Sequence, residues 1–188
     1  VAALAGVGPS QVTFTSGGTE AAASLLRPVS DGEVLFVGAA EHACMLAGGA
    51  FAHDRIHRVP VDDAGRLDCA ELDIAVASRG LLPGHVHVAV QIANNETGVI
   101  NPVETFARCR ARGWAVSADG VQAAGRLDLA PYAALVDGLI LSAHKIGGPK
   151  GVGALIRRQD VCGGLPALIR GGGQEHGQRA GTENVPGI

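Results

Sequence analysis

The chain has little aromatic character: one Trp, one Tyr and four Phe make up 3% of its 188 residues. Base-stacking surfaces need aromatic rings among basic side chains, and no Lys/Arg run is present either. With a net charge of −3, nucleic acid is not an expected partner. No apolar stretch approaches the length of a membrane span, and nothing at the start resembles a secretory signal, so no membrane contact is expected and the cytoplasm is the expected compartment. The four cysteines, Cys44, Cys69, Cys109 and Cys162, lie far apart and form no C-x-x-C pair. They read as reduced thiols rather than a disulfide framework or a zinc site. No G-x-G-x-x-G follows the first apolar run, which argues against a dinucleotide dehydrogenase, and the first glycine turn lacks a P-loop lysine.

Glycine is abundant, at 28 residues without a collagen-like period, and points to tight turns and close backbone approaches. At 47% hydrophobic residues the chain can bury a sizeable core, and no linker divides it. It begins at Val1 rather than Met and stops just after Pro186-Gly187. Residues 1–188 are therefore expected to be one domain of a longer protein.

Short apolar runs alternate with helical segments, the pattern of βαβ units on a largely parallel sheet. Strands are expected at Val12–Phe14, Glu33–Val37, Ile56–Val59, His85–Ala93, Trp114–Ala118, Gly138–Leu141 and Val152–Ile156. Helices are expected from Thr19, over Ala43–Phe51, over Cys69–Ala77, and from Pro102 to about Arg112 with Asn101 as its cap. The polar glycine-rich stretch Gly171–Asn184 reads as a loop with no element after it.

Polar residues fall just past the carboxyl ends of these strands: Thr19, His42, Asn94 with Asn95, Asp119 with Gln122, and Ser142 with His144 and Lys145. In open α/β sheets the ligand crevice lies outside those ends, so five such clusters on one edge predict a site. Lys145 sits between two apolar runs, and burial there is expected to leave its amine unprotonated and able to form a Schiff base with an aldehyde cofactor. Asp119 can keep a pyridine nitrogen protonated so that the ring draws electrons from a developing carbanion. A cap for the next helix would be its ordinary role. Gln122 would share its face if a helical turn follows, and Gln122 or an Asn amide can reach a ring hydroxyl. Gly18 and Thr19 open a helix whose free N–H groups suit a phosphate, and Ser142 and His144 can donate to one. His42 can lie over a planar ring or move protons. Thr182 and Arg179 could serve an anion. His53, His57, His85, His87 and His176 read as structural or surface residues; His85 and His87 share a strand face but have no acid or Cys partner spaced to complete a metal site.

Taken together, the stretches Phe14–Glu20, Glu41-His42, Ala93–Val99, Asp119–Gln122, Ser142–Gly151 and Gly171–Ile188 resemble the cysteine desulfurases of the class V aminotransferase group. The resemblance implies a fold type I enzyme: an α/β three-layer sandwich on a mostly parallel mixed sheet, here its large domain, with an N-terminal segment and a C-terminal small domain lying outside residues 1–188. It implies pyridoxal 5′-phosphate joined to Lys145, with Asp119 on the pyridine nitrogen, Gln122 and Asn95 at the ring oxygen, His42 stacked on the ring, and Gly18, Thr19, Ser142 and His144 on the phosphate. Thr182 would reach the phosphate of the other subunit of a homodimer. The implied reaction takes L-cysteine to L-alanine and passes the sulfur, through an enzyme persulfide, to a sulfur-acceptor or scaffold protein for iron–sulfur assembly. The nucleophilic cysteine and the arginine gripping the substrate carboxylate lie beyond the matched stretch, so this piece alone is expected to be inactive. His176 stands where an Arg is usual, and Gly147 where an aromatic is common. A selenocysteine lyase or another class V lyase or transaminase would share the same cradle, and a dimerising scaffold without turnover is the reading from a different class.

Overall fold

The computed structural model describes residues 1–158 and 167–188; Cys162 lies outside them. In chain order the elements are α1 (Ala2–Ala5), β1 (Val12–Thr15), α2 (Gly18–Leu25), β2 (Val34–Gly38), α3 (Ala43–Leu46), β3 (Ile56–Val59), α4 (Cys69–Ala77), β4 (Val86–Gln91), α5 (Val103–Ala111), β5 (Ala115–Asp119), α6 (Ala130–Ala133), β6 (Gly138–Ser142) and β7 (Gly153–Arg157). Strands β2, β4, β6 and β7 are buried at every residue, as apolar runs covered on both faces must be.

The seven strands form one sheet in the order β1-β7-β6-β5-β4-β2-β3. Pairing is parallel from β3 through β6 and antiparallel at β6–β7 and β7–β1. One face of the sheet packs Phe36, Val88 and Leu139 against α4, α5 and α6, through Leu72, Phe106 and Tyr132. The other packs Leu35, Ala89 and Ile140 against α2 and α3, through Ala21, Leu25 and Met45. Three layers result, as expected. The close seating of α2 depends on Gly138 and Gly153. A Cβ at Gly138 would lie 2.2 Å from Leu25 Cδ1, and one at Gly153 would lie 2.5 Å from the backbone of Gly17, where α2 begins.

Three expectations are corrected. The helix expected over Ala43–Phe51 ends at Leu46, because Gly48 and Gly49 turn the chain with φ of 71° and 57°. That turn brings Ala50 N–H to the Leu26 carbonyl at 2.8 Å. Asn101 does not cap the helix at Val103, whose flanking residue is Pro102. Its buried amide instead accepts from Leu67 N–H and donates to the Gln91 carbonyl, both at 2.9 Å. His85 belongs to a single 3₁₀ turn, Pro83–His85, rather than to the strand that carries His87.

The glycine-rich segment is also more ordered than a free loop. Glu175 accepts from Phe14 N–H at 3.1 Å, and Gln178 accepts from the Thr13 hydroxyl at 2.8 Å. These contacts cover β1, an edge strand whose open N–H groups would otherwise invite pairing with another chain.

A buried string ties the sheet centre together. His87 on β4 places Nδ1 3.2 Å from Glu33 Oε1 and Nε2 2.7 Å from Ser117 Oγ on β5. Ser117 is fully buried, so the arrangement is structural rather than nucleophilic. Burial raises the Glu33 carboxyl, but His87 and the N–H groups of Val29 and Ser30 outweigh it and hold it below its ordinary value of 4.5. A carboxyl lowered on folding stabilises above its unfolded value, and that contribution is lost as pH falls through the lowered one. We expect Glu33→Gln to flatten the loss of stability below about pH 4.5 in urea unfolding measured by circular dichroism. His87→Ala should cost roughly 3 kcal/mol at neutral pH, since it strands a buried acid.

Candidate active site

The strand register decides where the site lies. Gln91 at the end of β4 pairs with Asp119 at the end of β5, and Asp119 with Ile140 on β6. The chain leaves β2 toward β3 on one side and leaves β4 toward β5 on the other. The connections diverge between β2 and β4, the place where open α/β sheets accept ligands.

Each strand end delivers polar groups to that opening. After β2, Glu41 is buried and His42 forms the N-cap of α3. His42 Nδ1 accepts from Cys44 N–H at 3.2 Å and lies 3.1 Å from Cys44 Sγ. After β4, Asn94 accepts from Glu96 and Thr97 N–H, each at 2.8 Å, and donates to the Ala40 carbonyl at 2.9 Å. Asn94 thus shapes the loop, while Asn95 lines the opening. Asp119 ends β5 and is 7% exposed, with Oδ1 accepting from Val121 N–H at 2.8 Å. It therefore fixes the following turn as well as facing the cavity, and that turn carries Gln122. Ser142 ends β6, buried, with its hydroxyl 2.9 Å from His144 Nδ1. His144 and Lys145 follow in the 3₁₀ turn Ala143–Lys145.

Gly18, Thr19, His42, Asn95, Asp119, Gln122, Ser142, His144 and Lys145 line one cavity of about 200 Å³. The expectation of a buried lysine is corrected: Lys145 is exposed, because the turn joining two antiparallel strands projects from the sheet edge. A second recess of about 310 Å³ shares Gly18, Thr19, Ser142 and His144, and adds Lys150. The first turn of α2 opens there, with N–H groups that a helix cannot satisfy internally. Thr182 is not in either. It lines a separate depression with Phe14, Ser16 and Arg179. Arg179 is not free for an anion, because it clamps Glu20 through Nε at 2.8 Å and Nη2 at 3.2 Å. Among the described residues, no cluster of His, Cys, Asp and Glu suits a metal ion.

Sequence reasoning missed Cys44 and Gln91 as cavity residues. Cys44 had a signal: it lies two positions after the capping His42, where a helix's first turn brings side chains back to the cap. Gln91 is the last residue of an all-buried strand, and nothing in its neighbours marked it.

Electrostatics set the character of the cavity. Burial raises the Asp119 carboxyl above its ordinary value, against the opposing pull of Val121 N–H and His42. Burial pushes Glu41 well above the usual carboxylate range, only partly countered by Gln91 N–H at 2.7 Å, and Asp119 adds to the rise. Glu41 Oε2 has no hydrogen-bond partner. A full negative charge there would be poorly solvated, so burial favours the protonated form of Glu41.

The model of the family described as Aminotransferase class-V matches residues 1–188. A cysteine desulfurase of Cereibacter sphaeroides is 42% identical over 188 residues, covering 95% of this chain and 47% of that protein. The X-ray structure of a NifS-like protein from Rickettsia africae ESF-5 superposes with a TM-score of 0.86 at 31% identity, over 98% of this chain and 51% of that one. A structure described as SspA in complex with cysteine gives 0.83 at 26% identity, over the whole of this chain and 55% of that one. The chain spans about half the length of the curated relatives it matches.

Glu41 supplies a prediction with a definite sign. A carboxyl raised on folding releases its proton more readily when unfolded, so stability falls as pH climbs above about 4.5 toward the raised value. The isosteric Glu41→Gln removes that fall. Its urea midpoint should gain on the parent as pH rises above about 4.5, and a parallel pH dependence in both proteins would contradict the assignment.

Proposed function

Because the chain belongs to the class V aminotransferase family, we propose that it forms the cofactor-holding part of a pyridoxal 5′-phosphate-dependent cysteine desulfurase, acting on L-cysteine to give L-alanine. The observation that carries this reading is the single cavity uniting an amine, Lys145, with a buried carboxylate, Asp119, beside a recess at a helix N-terminus. The donor set suits the cofactor at each of its ends. The α2 N-terminus, Thr19, Ser142 and His144 suit a phosphate, the flat His42 ring suits an aromatic face, and Asn95 and Gln122 suit a phenolic oxygen.

When bound, pyridoxal phosphate supplies an aldehyde that captures amines and a protonated ring that accepts the electrons of a bond breaking at the substrate's α-carbon. Asp119 would hold the ring proton. Its carboxyl is raised by burial, and a cationic ring opposite it would restore the charged form. Lys145 is the one lysine lining the cavity among the described residues, so its amine is the group able to bind the aldehyde and then exchange a proton at the α-carbon. Asn94 and Gln91 both donate to the Ala40 carbonyl, fixing the connection that carries His42.

The sulfur itself needs a thiolate. Burial pushes Cys44 to about 11 and Cys109 to about 12, and raises Cys69. None of the three is a thiolate at neutral pH, which supports a persulfide-forming cysteine elsewhere in the full protein. Thr182, set apart from its own cavity, supports a homodimer in which it serves the partner's phosphate. A sulfur-acceptor protein would take the persulfide, and the free thiols of Cys44, Cys69 and Cys109 support a cytoplasmic setting. No helix among the described residues is long and apolar enough to cross a membrane.

With pyridoxal phosphate, the full protein should show a near-visible absorbance band and release alanine and, under reductant, sulfide from L-cysteine. Lys145→Ala should abolish both. Asp119→Ala should keep the band's binding isotherm measurable while lowering kcat about 100-fold or more, some 2.7 kcal/mol of barrier. Sulfide release persisting in Lys145→Ala would refute the proposal.

A further inference from the structure

The contact between His42 and Cys44 decides the protonation of the ring proposed to lie over the cofactor. At 3.1 Å from Nδ1, the Cys44 sulfur either donates its proton to the imidazole or has surrendered it, giving a thiolate beside an imidazolium. These alternatives place opposite demands on Nδ1. A thiolate pair needs hydrogen on Nδ1; a neutral pair needs a lone pair there.

A second contact separates them. The Cys44 backbone N–H, a donor that cannot reverse, points at the same Nδ1 from 3.2 Å, as the capping bond of α3. A nitrogen already carrying hydrogen cannot accept it. Nδ1 is therefore the acceptor, its one lone pair shared between that N–H and the thiol, and the only ring proton of neutral His42 sits on Nε2. The groups facing the pair agree. Burial opposes a thiolate most, the charge of Asp119 at the end of β5 adds to it, and the thiol is pushed up to about 11, with Lys145 and His144 lining the same cavity.

We infer that Cys44 is a positioning residue, whose backbone N–H and thiol together lock the cavity-lining His42 as its neutral Nε2–H tautomer. The consequence for chemistry rests on the pyridoxal phosphate reading: a neutral imidazole can lie over a positively charged ring without repulsion, and its Nε2–H is a donor of fixed position. The tautomer itself belongs to the protein alone.

The test has two arms. In the first, alkylation of Cys44 by iodoacetamide is followed by peptide mass spectrometry across pH, on the full protein freed of cofactor. The lock predicts a midpoint near 11, and a lower midpoint in His42→Ala, where the thiol has lost its acceptor. A midpoint below the ordinary thiol value of 9.0, a rise in His42→Ala, or no change in it would overturn the neutral pair. In the second arm, steady-state kinetics with L-cysteine compare Cys44→Ala and Cys44→Ser. Removing the donor should lower kcat roughly 3- to 10-fold at nearly constant KM, the size expected for one hydrogen bond, and the serine hydroxyl should restore most of it. Equal loss in both variants, or loss in neither, would overturn the positioning role. Because the first arm is read without cofactor, its result holds even if the protein binds no pyridoxal phosphate.

Discussion

Parallel pairing from β3 to β6 is the constraint on which the site depends. Strands that run the same way deliver all their exits to one edge, so residues far apart in the chain meet without any long loop having to be ordered. Gln91 opposite Asp119, and Asp119 opposite Ile140, put the acid deep in that edge. The antiparallel turn from β6 into β7 then brings Lys145 to the same opening from the other side. A one-residue slip between β4 and β5 would turn Asp119 to the opposite face and deprive the cavity of its acid.

Around that geometry the molecule keeps most of its buried charge suppressed or shared. Burial favours the protonated form of Glu41, Glu20 shares its charge with Arg179, and Glu33 lies against His87. Burial opposes the charged form of Asp119 too. What distinguishes Asp119 is that it faces the cavity as well as the backbone, so a bound cation can stabilise the form that burial disfavours. A carboxylate kept short of partners until a ligand arrives gives that ligand affinity, which accounts for an acid at a buried strand end rather than on a solvated loop.

Much of this is legible in the sequence. Apolar runs bounded by turn residues mark every strand to within about two residues, because a sheet covered on both faces needs continuous hydrophobic segments. The polar residues just past those runs mark the cavity, since topology leaves them nowhere else to go. What stays hidden is set by contacts distant in sequence. The early end of α3 follows from the approach of Gly49 to Leu26, and the bridging role of Asn101 from Leu67 and Gln91. The docking of Glu175 and Gln178 on β1 crosses about 160 residues. Cys44 is a different case: its spacing from the capping His42 is visible in the sequence, but its role is not, until the fold sets the imidazole of His42 beside its sulfur.

The central claim is that Lys145 is the amine that meets the aldehyde. The most direct measurement is borohydride reduction of the full protein with pyridoxal 5′-phosphate, followed by peptide mapping by mass spectrometry. A reduced pyridoxyl group on Lys145, at near one per chain, is the predicted result. A label on Lys150 or spread over surface amines, with Lys145 unmodified, would contradict it.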